Sequence, residues 1–309
     1  MIFGAVLRLM RNNTSKWCLE YRRRNSFKMY KKFSSDNISD NKTINIHRVD
    51  INNTGDYWSG VHHYFPDMID DYVDILGSCN RDKIIRNSWV SAISRCNSIV
   101  VGGGGLLNRE TFHKEIELFV NLSKKKKVVF WGLGHNSKNA KEAASWITPD
   151  ISTIKYVGLR DINLIGEFVP CPSCLHPVWT REYSTQRDLG VILHKDTALT
   201  PSYIDLLNKF PCIDNSADIE TISMFIGESD AILTNSYHAM YWAFLLGKKV
   251  AALPNSSKFF SFKRVPYITT VEDFRLSNIL KIRSEEPMLN ECKSHNLRFA
   301  KRVCEFLKN

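Results

Sequence analysis

Residues 229–258 constrain the fold more than any other part of this chain. An apolar strand at 231–233 passes through the polar turn Thr-Asn-Ser into an apolar helix at 237–246. That helix ends at Gly-Lys-Lys, and a second apolar strand follows at 250–253. A strand, a helix and a strand in this order form a βαβ unit, which predicts a parallel sheet.

Chemically active side chains follow both of these strands. His238 lies in the first turn of the helix, which Ser236 or Asn235 can cap, and Lys258 follows the second strand. The free N–H groups and positive dipole end of a helix favour an anion, and open α/β folds bind ligands at the carboxyl edge of the sheet. We therefore expect His238 and Lys258 to converge on an anion site. The alternative is a histidine that simply packs beside an apolar helix.

The first half of the chain shows the same alternation of strands and helices. A strand is predicted at 43–49, and the turn-rich sequence NTGD follows at 53–56. Gly55 is available for positive φ, and Asp56 is expected at the edge of the sheet. NTGD fits equally well a plain turn followed by a helix cap.

A run of four glycines follows another predicted strand within residues 98–105. Glycine lets the backbone approach a ligand or a neighbouring helix closely, and we expect Gly103 and Gly104 to contact a substrate. The run is not the dinucleotide motif G-x-G-x-x-G, because position 107 is Leu, and no Gly-Lys-Ser/Thr follows. NAD and P-loop nucleotide sites are therefore excluded for this run.

Two further strands follow in the same half. Residues 127–135 enter a second glycine-rich loop, and residues 154–161 end in Arg160 and Asp161. Arg160 is either an ion-pair partner of Asp161 or its neighbours, or an anion clamp that faces a cleft. The alternation of strand, glycine and helix from 43 to 170 predicts a parallel, doubly wound sheet.

The segment from 170 to 187 is rich in proline and lacks a helical period, which indicates a linker or crossover. A second βα alternation begins at Leu189. The predicted fold class is α/β, with two Rossmann-like doubly wound domains facing a cleft. The predicted divisions are a basic, partly disordered arm at 1–42, domains at 43–175 and 176–288, and a C-terminal helix at 289–309 that packs across the domains or closes the second.

The net charge of +10 is concentrated in the arm. Residues 1–42 hold ten Lys and Arg against Glu20, Asp36 and Asp40, so the body of the protein carries little excess charge and no nucleic-acid face is expected. The arm is solvated and partly disordered, or docks on an anionic membrane surface, or is an organellar targeting peptide. No apolar run approaches the ~18–20 residues of a membrane helix. We expect a cytoplasmic protein, peripheral to the membrane at most.

Eight cysteines in mostly apolar surroundings indicate buried thiols in a reducing compartment. Cys171, Cys174 and His176 have a spacing typical of metal ligands, but no second ligand pair follows. We expect a structured loop or a packing role here, and no metal.

Six motifs together resemble the polysaccharide pyruvyl transferase family over roughly residues 43–265. They are NTGD (53–56), VVGGGGLL (100–107), GLG (132–134), GLRD (158–161), SDAILTNSYHAMYWAFLLGKKV (229–250) and SSKF (256–259). The resemblance implies a GT-B-type fold and transfer of a pyruvyl group from phosphoenolpyruvate to two hydroxyls of a glycan or lipid-linked oligosaccharide, giving a cyclic ketal. The first domain would then bind the acceptor and the second the donor.

The family's anion-binding Arg, catalytic His and donor-binding Lys correspond to Arg160, His238 and Lys258. Arg160 and Lys258 match the phosphate and carboxylate of the donor. If His238 rests neutral it acts as a base, and Asp56 or Asp161 supplies the acid. The residues expected in catalysis are His238, Arg160 and Asp56. Those expected to bind substrate are Lys258, Ser236, Asn235, Gly103, Gly104 and Asp161. No cofactor is expected besides phosphoenolpyruvate as co-substrate.

Two other functions fit the same architecture. A GT-B glycosyltransferase that uses a nucleotide sugar needs a carboxylate for the ribose hydroxyls, and the loops within residues 234–258 contain no Asp or Glu. A non-catalytic module that binds glycans or membrane surfaces could also keep the fold, although Arg160, His238 and Lys258 together argue against it.

Overall fold

Two parallel β-sheets form the framework of the protein, and the predicted fold class is confirmed. The computed structural model describes residues 2–33, 40–138, 142, 146–284 and 286–308, and within the first helix the side chains of residues 16–32. The elements before the proline-rich segment are α1 (Ile2–Phe33), β1 (Asp40–His47), α2 (Thr54–Tyr57), β2 (Asp71–Asp74), α3 (Lys83–Arg95), β3 (Cys96–Leu107), α4 (His113–Leu122), β4 (Lys127–His135), β5 (Tyr156–Leu159) and β6 (Glu167–Phe168). The elements after it are β7 (Arg187–Leu193), α5 (Pro201–Lys209), β8 (Cys212–Asp214), α6 (Ile219–Gly227), β9 (Ser229–Thr234), α7 (Tyr237–Leu245), β10 (Lys249–Ala252), β11 (Tyr267–Ile268), α8 (Leu276–Leu280) and α9 (Leu289–Lys308).

Both sheets have a point at which the direction of strand addition reverses. The first sheet has the order β2-β1-β3-β4-β5-β6, and the second has the order β11-β10-β9-β7-β8, with every neighbouring pair parallel. The reversal lies between β1 and β3 in one domain and between β7 and β9 in the other. Loops that leave these strands diverge and open a crevice at the carboxyl edge, where α/β folds bind ligands.

Helix α7 is buried along its whole length. All nine of its residues are buried, and they pack against α6 and against the face of the second sheet that carries Ile192, Ile232 and Val250. A helix that is apolar on every side is expected in a core rather than on a surface. This burial fixes the position of the first turn of α7, which carries His238.

Within the basic arm, Ile2–Phe33 forms one α-helix. Its second half docks on the first domain, where Arg23 pairs with Glu115 at 2.5 Å and the Ser26 hydroxyl donates to the Ser78 carbonyl at 2.6 Å. These contacts join residues more than fifty positions apart, so no local pattern announces them. Residues 34–39, also assigned to the arm, lie outside the described part of the chain.

Membrane-spanning helices are not found in the part of the chain that the structure describes, since none of its helices combines the length and apolar character that crossing a bilayer requires.

The proline-rich segment is a packed structure rather than a solvated linker. It contains two 3-10 helices, Pro172–Leu175 and Pro177–Thr180, and Cys171, Cys174 and Trp179 are buried in the core beneath the second sheet. Their neighbours in this core are the aromatic residues of α7. The segment thereby ties the connection between the domains to the helix that carries His238.

Helix α9 packs across the domains, which is the first of the two arrangements considered for it. Cys292 near its start is buried in the core of the second domain, whereas Phe299 and Val303 pack against the first sheet. The Trp131 indole donates to the Asn296 amide oxygen at 2.8 Å, which fixes the helix to β4. One helix therefore joins the two halves behind the cleft.

Candidate active site

A cleft of about 650 Å³ lies between the carboxyl edges of the two sheets. Loops from both domains line it, in agreement with the two reversal points. Six of the nine predicted site residues line the cleft, namely Asp56, Arg160, Asn235, Ser236, His238 and Lys258. The structure thus brings together side chains that are up to 202 positions apart in the sequence.

Arg160 is buried but has no ion-pair partner among the described residues. Its guanidinium lies over the Tyr237 ring, with Cζ 3.6 Å from the ring centroid. The Nε and Nη1 atoms are buried without a hydrogen-bond acceptor in the described structure. A Cβ on Gly134 would lie 2.1 Å from Nε, and one on Gly105 would lie 2.9 Å from Nη2, so these glycines make room for the side chain. Buried, unpaired guanidinium donors in a cleft suit a bound anion.

Lys258 approaches Arg160 from the second domain. It lies in the 3-10 helix Ser257–Phe259, and the neighbouring Ser257 hydroxyl contacts the His135 imidazole of β4 at 2.7 Å. Burial, followed by the charge of Arg160, lowers the pKa of Lys258 to about 8, against the opposing charge of Asp56. A contact with the first domain therefore holds the ammonium group of the second domain in place.

His238 occupies the first turn of α7, with 7% of its surface exposed. Burial, followed by the charges of Arg160 and Lys258, lowers its pKa well below the usual value, so the imidazole is neutral. Its Nε2 atom lies 3.7 Å from Cys171 Sγ. A Cβ on Gly55 would lie 2.2 Å from its Nδ1, so only glycine fits there.

Gly55 has a different role from the one predicted. It lies inside α2 and is not among the glycines with positive φ. The NTGD sequence needs glycine because the backbone of α2 passes directly against the His238 ring.

Asp56 faces the same cleft from α2. Its Oδ2 accepts a hydrogen bond from the Asn53 amide at 3.0 Å, and Asn53 in turn accepts one from Asn215 of the second domain at 2.9 Å. Burial raises the pKa of Asp56 to about 6, against the opposing charges of Lys258 and Arg48. Its carboxyl group therefore titrates close to neutral pH.

Ser236 and Asn235 lie at the start of α7, but neither caps it. Ser236 occupies the N-cap position without a side-chain hydrogen bond to the helix. The Asn235 amide instead accepts from the His194 N–H at 2.6 Å and donates to the Thr197 hydroxyl at 2.9 Å. By contrast, the Asp218 side chain caps α6 by accepting from Thr221 at 2.8 Å. In the described part of the chain, no side chain caps the first-turn N–H groups of α7, and they can bind an anion.

Three predicted substrate-binding residues lie outside the cleft lining. Gly103 and Gly104 are inside strand β3, and the Gly103 N–H donates to the Ser59 carbonyl at 2.8 Å. Both pack against the segment after α2, whereas Gly105, one position later, lines the cleft. The glycines do not follow the strand, as expected, but lie within it, because β3 continues to Leu107.

Asp161 is the third of these residues. Its Oδ2 accepts the His135 backbone N–H at 2.8 Å, and it forms no ion pair with Arg160. Burial raises its pKa to about 7, against the opposing charge of Arg160. The carboxyl group supports the end of β4 from inside the protein and does not line the cleft.

Several charged cleft residues were missed from the sequence, namely Arg48, Asp50, Arg109, Lys195 and Asp196. Arg48 and Asp50 directly follow β1, and Lys195 and Asp196 directly follow β7, so the rule of carboxyl strand ends could have found them. Lys195 pairs with Asp50 across the domains at 3.0 Å. Arg109 follows β3, but its approach to the cleft depends on how the chain turns after Leu107.

The cysteines of the proline-rich segment are free thiols. Within the described ranges, no group of three or more His, Cys, Asp and Glu side chains is arranged to hold a metal ion. Cys171 and Cys174 pack in the core, in agreement with the structural role considered for this segment.

Comparisons with solved structures show similarity of the fold alone. The wall teichoic acid polymerase TagF aligns over 99% of this chain and 96% of that chain, with 11% identity and a TM-score of 0.44. A Methanocaldococcus jannaschii UDP-GlcNAc 2-epimerase aligns over 84% of this chain and 98% of that chain, with 11% identity and a TM-score of 0.42. A UDP-N-acetylglucosamine 2-epimerase homologue from Listeria monocytogenes covers 84% of this chain and 90% of that chain, at 10% identity and a TM-score of 0.40. Values this low support no inference about function.

No curated protein sequence matches the chain with significance. Residues 4–257 match the family described as Polysaccharide pyruvyl transferase. The match extends further towards the N-terminus than the motifs do, and it includes most of α1. Since this match spans most of the 309 residues and contains every predicted site residue but Lys258, the chain belongs to the polysaccharide pyruvyl transferase family.

Proposed function

We propose that the protein transfers a pyruvyl group from phosphoenolpyruvate to two hydroxyls of a glycan and releases phosphate. The observation that carries this proposal is the convergence of Arg160, Lys258 and the uncapped start of α7 on one cleft beside His238. Membership of the family supports the class of reaction, and the chemistry of the cleft supports a small anionic donor.

Phosphoenolpyruvate has two anionic groups, and the cleft offers matching donors. The buried guanidinium of Arg160 has free N–H groups for a carboxylate or phosphate. Lys258 adds a point charge, and the N-terminus of α7 adds backbone N–H groups. A compact anion of this kind satisfies the Arg160 donors that are otherwise buried without partners in the described structure.

The proton transfers fall to two groups whose pKa values burial has moved towards neutrality. The reaction needs a base for the attacking hydroxyl and an acid that protonates the methylene carbon. Asp56, with a pKa of about 6, is ionised at neutral pH and serves as the base. Lys258, with a pKa of about 8, is still protonated there and serves as the acid. General acid and base groups work best near the operating pH.

The bond changes balance without an additional reactant. The first hydroxyl adds to C2 of phosphoenolpyruvate as its proton passes to Asp56 and C3 receives a proton from Lys258. The second hydroxyl then replaces the phosphate at C2, which closes the cyclic ketal. Its proton leaves with the phosphate group, and Asp56 returns its proton to Lys258 through solvent.

The test is an assay of phosphate release with phosphoenolpyruvate and a panel of glycans. The wild-type protein is expected to release phosphate only when an acceptor diol is present. His238→Ala should lower the rate by roughly 10²-fold, the range for loss of a group that acts in the transition state. His113→Ala, which changes a histidine of α4 outside the cleft lining, is the control. Full activity of His238→Ala would remove His238 from the site.

A nucleotide sugar is the competing donor, and one observation favours it. Asp196 follows β7 and gives the second domain a carboxylate at the cleft, which the loops within residues 234–258 lack. A carboxylate at this place could hold ribose hydroxyls. Titration calorimetry with phosphoenolpyruvate and with nucleotide sugars separates the two. Binding of a nucleotide sugar without any binding of phosphoenolpyruvate would replace the proposal with glycosyl transfer.

A further inference from the structure

A chain of hydrogen bonds reaches His238 through buried residues that do not line the cleft. The Trp242 indole N–H donates to Ser173 Oγ at 3.0 Å, and Ser173 Oγ donates to Cys171 Sγ at 3.2 Å. Cys171 Sγ then lies 3.7 Å from His238 Nε2. Ser173 and Cys171 are completely buried, so water does not compete for these bonds.

The direction of the chain follows from its first member. An indole N–H can only donate, so Ser173 Oγ is the acceptor of the first bond. The Ser173 hydroxyl hydrogen is then directed to Cys171 Sγ, which accepts it. The remaining hydrogen of Cys171 is on its sulfur, and the His238 Nε2 atom is the acceptor within reach.

The surrounding structure holds this chain in place. The Tyr241 hydroxyl donates to the Cys171 carbonyl at 2.9 Å, and the Trp179 indole donates to the Ser173 carbonyl at 2.8 Å. Tyr241 and Trp242 belong to α7, the helix that carries His238. Burial also raises the pKa of Cys171, so the thiol keeps its hydrogen.

We propose that Cys171 is a positioning residue that fixes the tautomer of His238, with Nε2 as acceptor and the proton on Nδ1. Which nitrogen of a histidine carries the proton is set by the hydrogen bond that the other nitrogen makes. Here Nε2 faces the buried thiol, Nδ1 lies towards Gly55, and His238 itself lines the cleft. His238 therefore presents an N–H donor on the side of Gly55.

This tautomer gives His238 a role beside Asp56 and Lys258 in the reaction, an assignment that rests on the proposed function. A neutral imidazole with its proton on Nδ1 donates a hydrogen bond to an anionic oxygen of the donor and cannot take the proton of the attacking hydroxyl through that nitrogen. Sequence analysis assigned the role of base to His238. With this tautomer, Asp56 has that role instead. A neutral histidine in this role acts as an electrophile, stabilising charge that develops in the transition state.

The tautomer can be read in the protein alone by NMR with ¹⁵N-labelled histidine, with His238→Ala used to assign the signals. At neutral pH we expect the Nε2 signal of His238 to be that of an unprotonated nitrogen and the Nδ1 signal that of an N–H. Cys171→Ala should move His238 to a mixture of tautomers, because the thiol donor is lost. Cys171→Ser, which keeps a hydroxyl donor, should restore the Nδ1–H form. Cys174→Ala, in the same buried loop, should leave the tautomer unchanged.

Kinetics supply the second readout. Cys171→Ala is expected to lower kcat about 10-fold, because only part of the population keeps the productive tautomer, and Cys171→Ser should recover most of this loss. An Nε2–H tautomer in the wild-type protein would overturn the proposal, and so would an unchanged tautomer in folded Cys171→Ala and Cys171→Ser. The NMR result stands whether or not phosphoenolpyruvate proves to be the donor, so failure of the proposed function would be recognised separately.

Discussion

Asp56 and Lys258 are shifted in opposite directions by the same burial. Removal from water disfavours the charged form of each, which raises the pKa of Asp56 to about 6 and lowers that of Lys258 to about 8. Between these two values Asp56 is ionised while Lys258 is protonated. The cleft therefore holds a carboxylate and an ammonium group in the pH range between about 6 and 8, as the proposed base and acid require.

A bell-shaped pH profile of kcat/KM is the expected consequence. Activity should rise as the pH passes about 6, because Asp56 must lose its proton to act as a base. Activity should fall as the pH passes about 8, because Lys258 must keep its proton. The values in the free enzyme govern kcat/KM, so the profile is measured at phosphoenolpyruvate concentrations well below KM.

Two variants assign the limbs of this profile. Asp56→Asn should remove the acidic limb and lower kcat/KM by roughly 10²-fold. Lys258→Arg should keep the positive charge but lower kcat/KM by roughly 10²-fold and remove the alkaline limb, because a guanidinium stays protonated throughout the accessible range and cannot give its proton to C3. An acidic limb that persists in Asp56→Asn would show that another group is the base.

At the scale of elements, the contact of α2 with α7 sets the distance between the two domains at the site. Gly55→Ala would place a Cβ 2.2 Å from His238 Nδ1, and this contact cannot form without movement. We expect kcat/KM to fall by about 10- to 100-fold, since a displacement of this size misplaces the imidazole. Overpacking should also lower the free energy of unfolding by about 1–3 kcal/mol.

Gly77→Ala is the matched control for this variant. Its Cβ would lie 2.4 Å from Trp89 Cδ1 in the core of the first domain, away from the cleft lining. It should cost similar stability but leave kcat/KM per folded molecule unchanged. The comparison uses chemical denaturation for stability and phosphate release for activity. If both variants lose activity equally, the α2–α7 contact has no special role.

The same elements show how much of the fold and of the candidate site can be predicted from the sequence. The strands and α7 follow from local apolar periodicity, and His238 and Lys258 follow from their places after β9 and β10. What local pattern could not predict is which partner each residue meets. Gly103 and Gly134 look alike in sequence, but Gly103 packs on Ser59 and Gly134 makes room for Arg160. Such roles depend on contacts between distant segments.

For the molecule as a whole, α1 is the element whose exposed face is not explained by the cleft. Arg23, Ser26 and Tyr30 are buried on one side of the helix. On the outer side, the Trp17 and Tyr21 rings stack with centroids 5.6 Å apart and are 67% and 56% exposed. Exposed lysines and arginines accompany them, namely Lys16, Arg24 and Lys28.

We propose that this face of α1 binds an anionic membrane surface, where a lipid-linked acceptor would be presented. Aromatic rings flanked by basic side chains suit the interface of a bilayer, and each basic residue near an anionic surface adds about 1 kcal/mol. The protein should co-sediment with vesicles that contain phosphatidylserine and not with vesicles of phosphatidylcholine alone. Binding should weaken at about 0.5 M salt, because salt screens the charges.

A double variant tests which face makes the contact. Trp17→Ala with Tyr21→Ala should weaken vesicle binding about tenfold while phosphate release with a soluble glycan stays unchanged, because neither residue lines the cleft. Trp146→Ala is the control, since this tryptophan is 55% exposed and lies elsewhere on the first domain. Equal binding to both kinds of vesicle, or full binding by the double variant, would rule out α1 as a membrane-docking element. The basic residues of the N-terminal segment would then serve only to keep this part of the protein solvated.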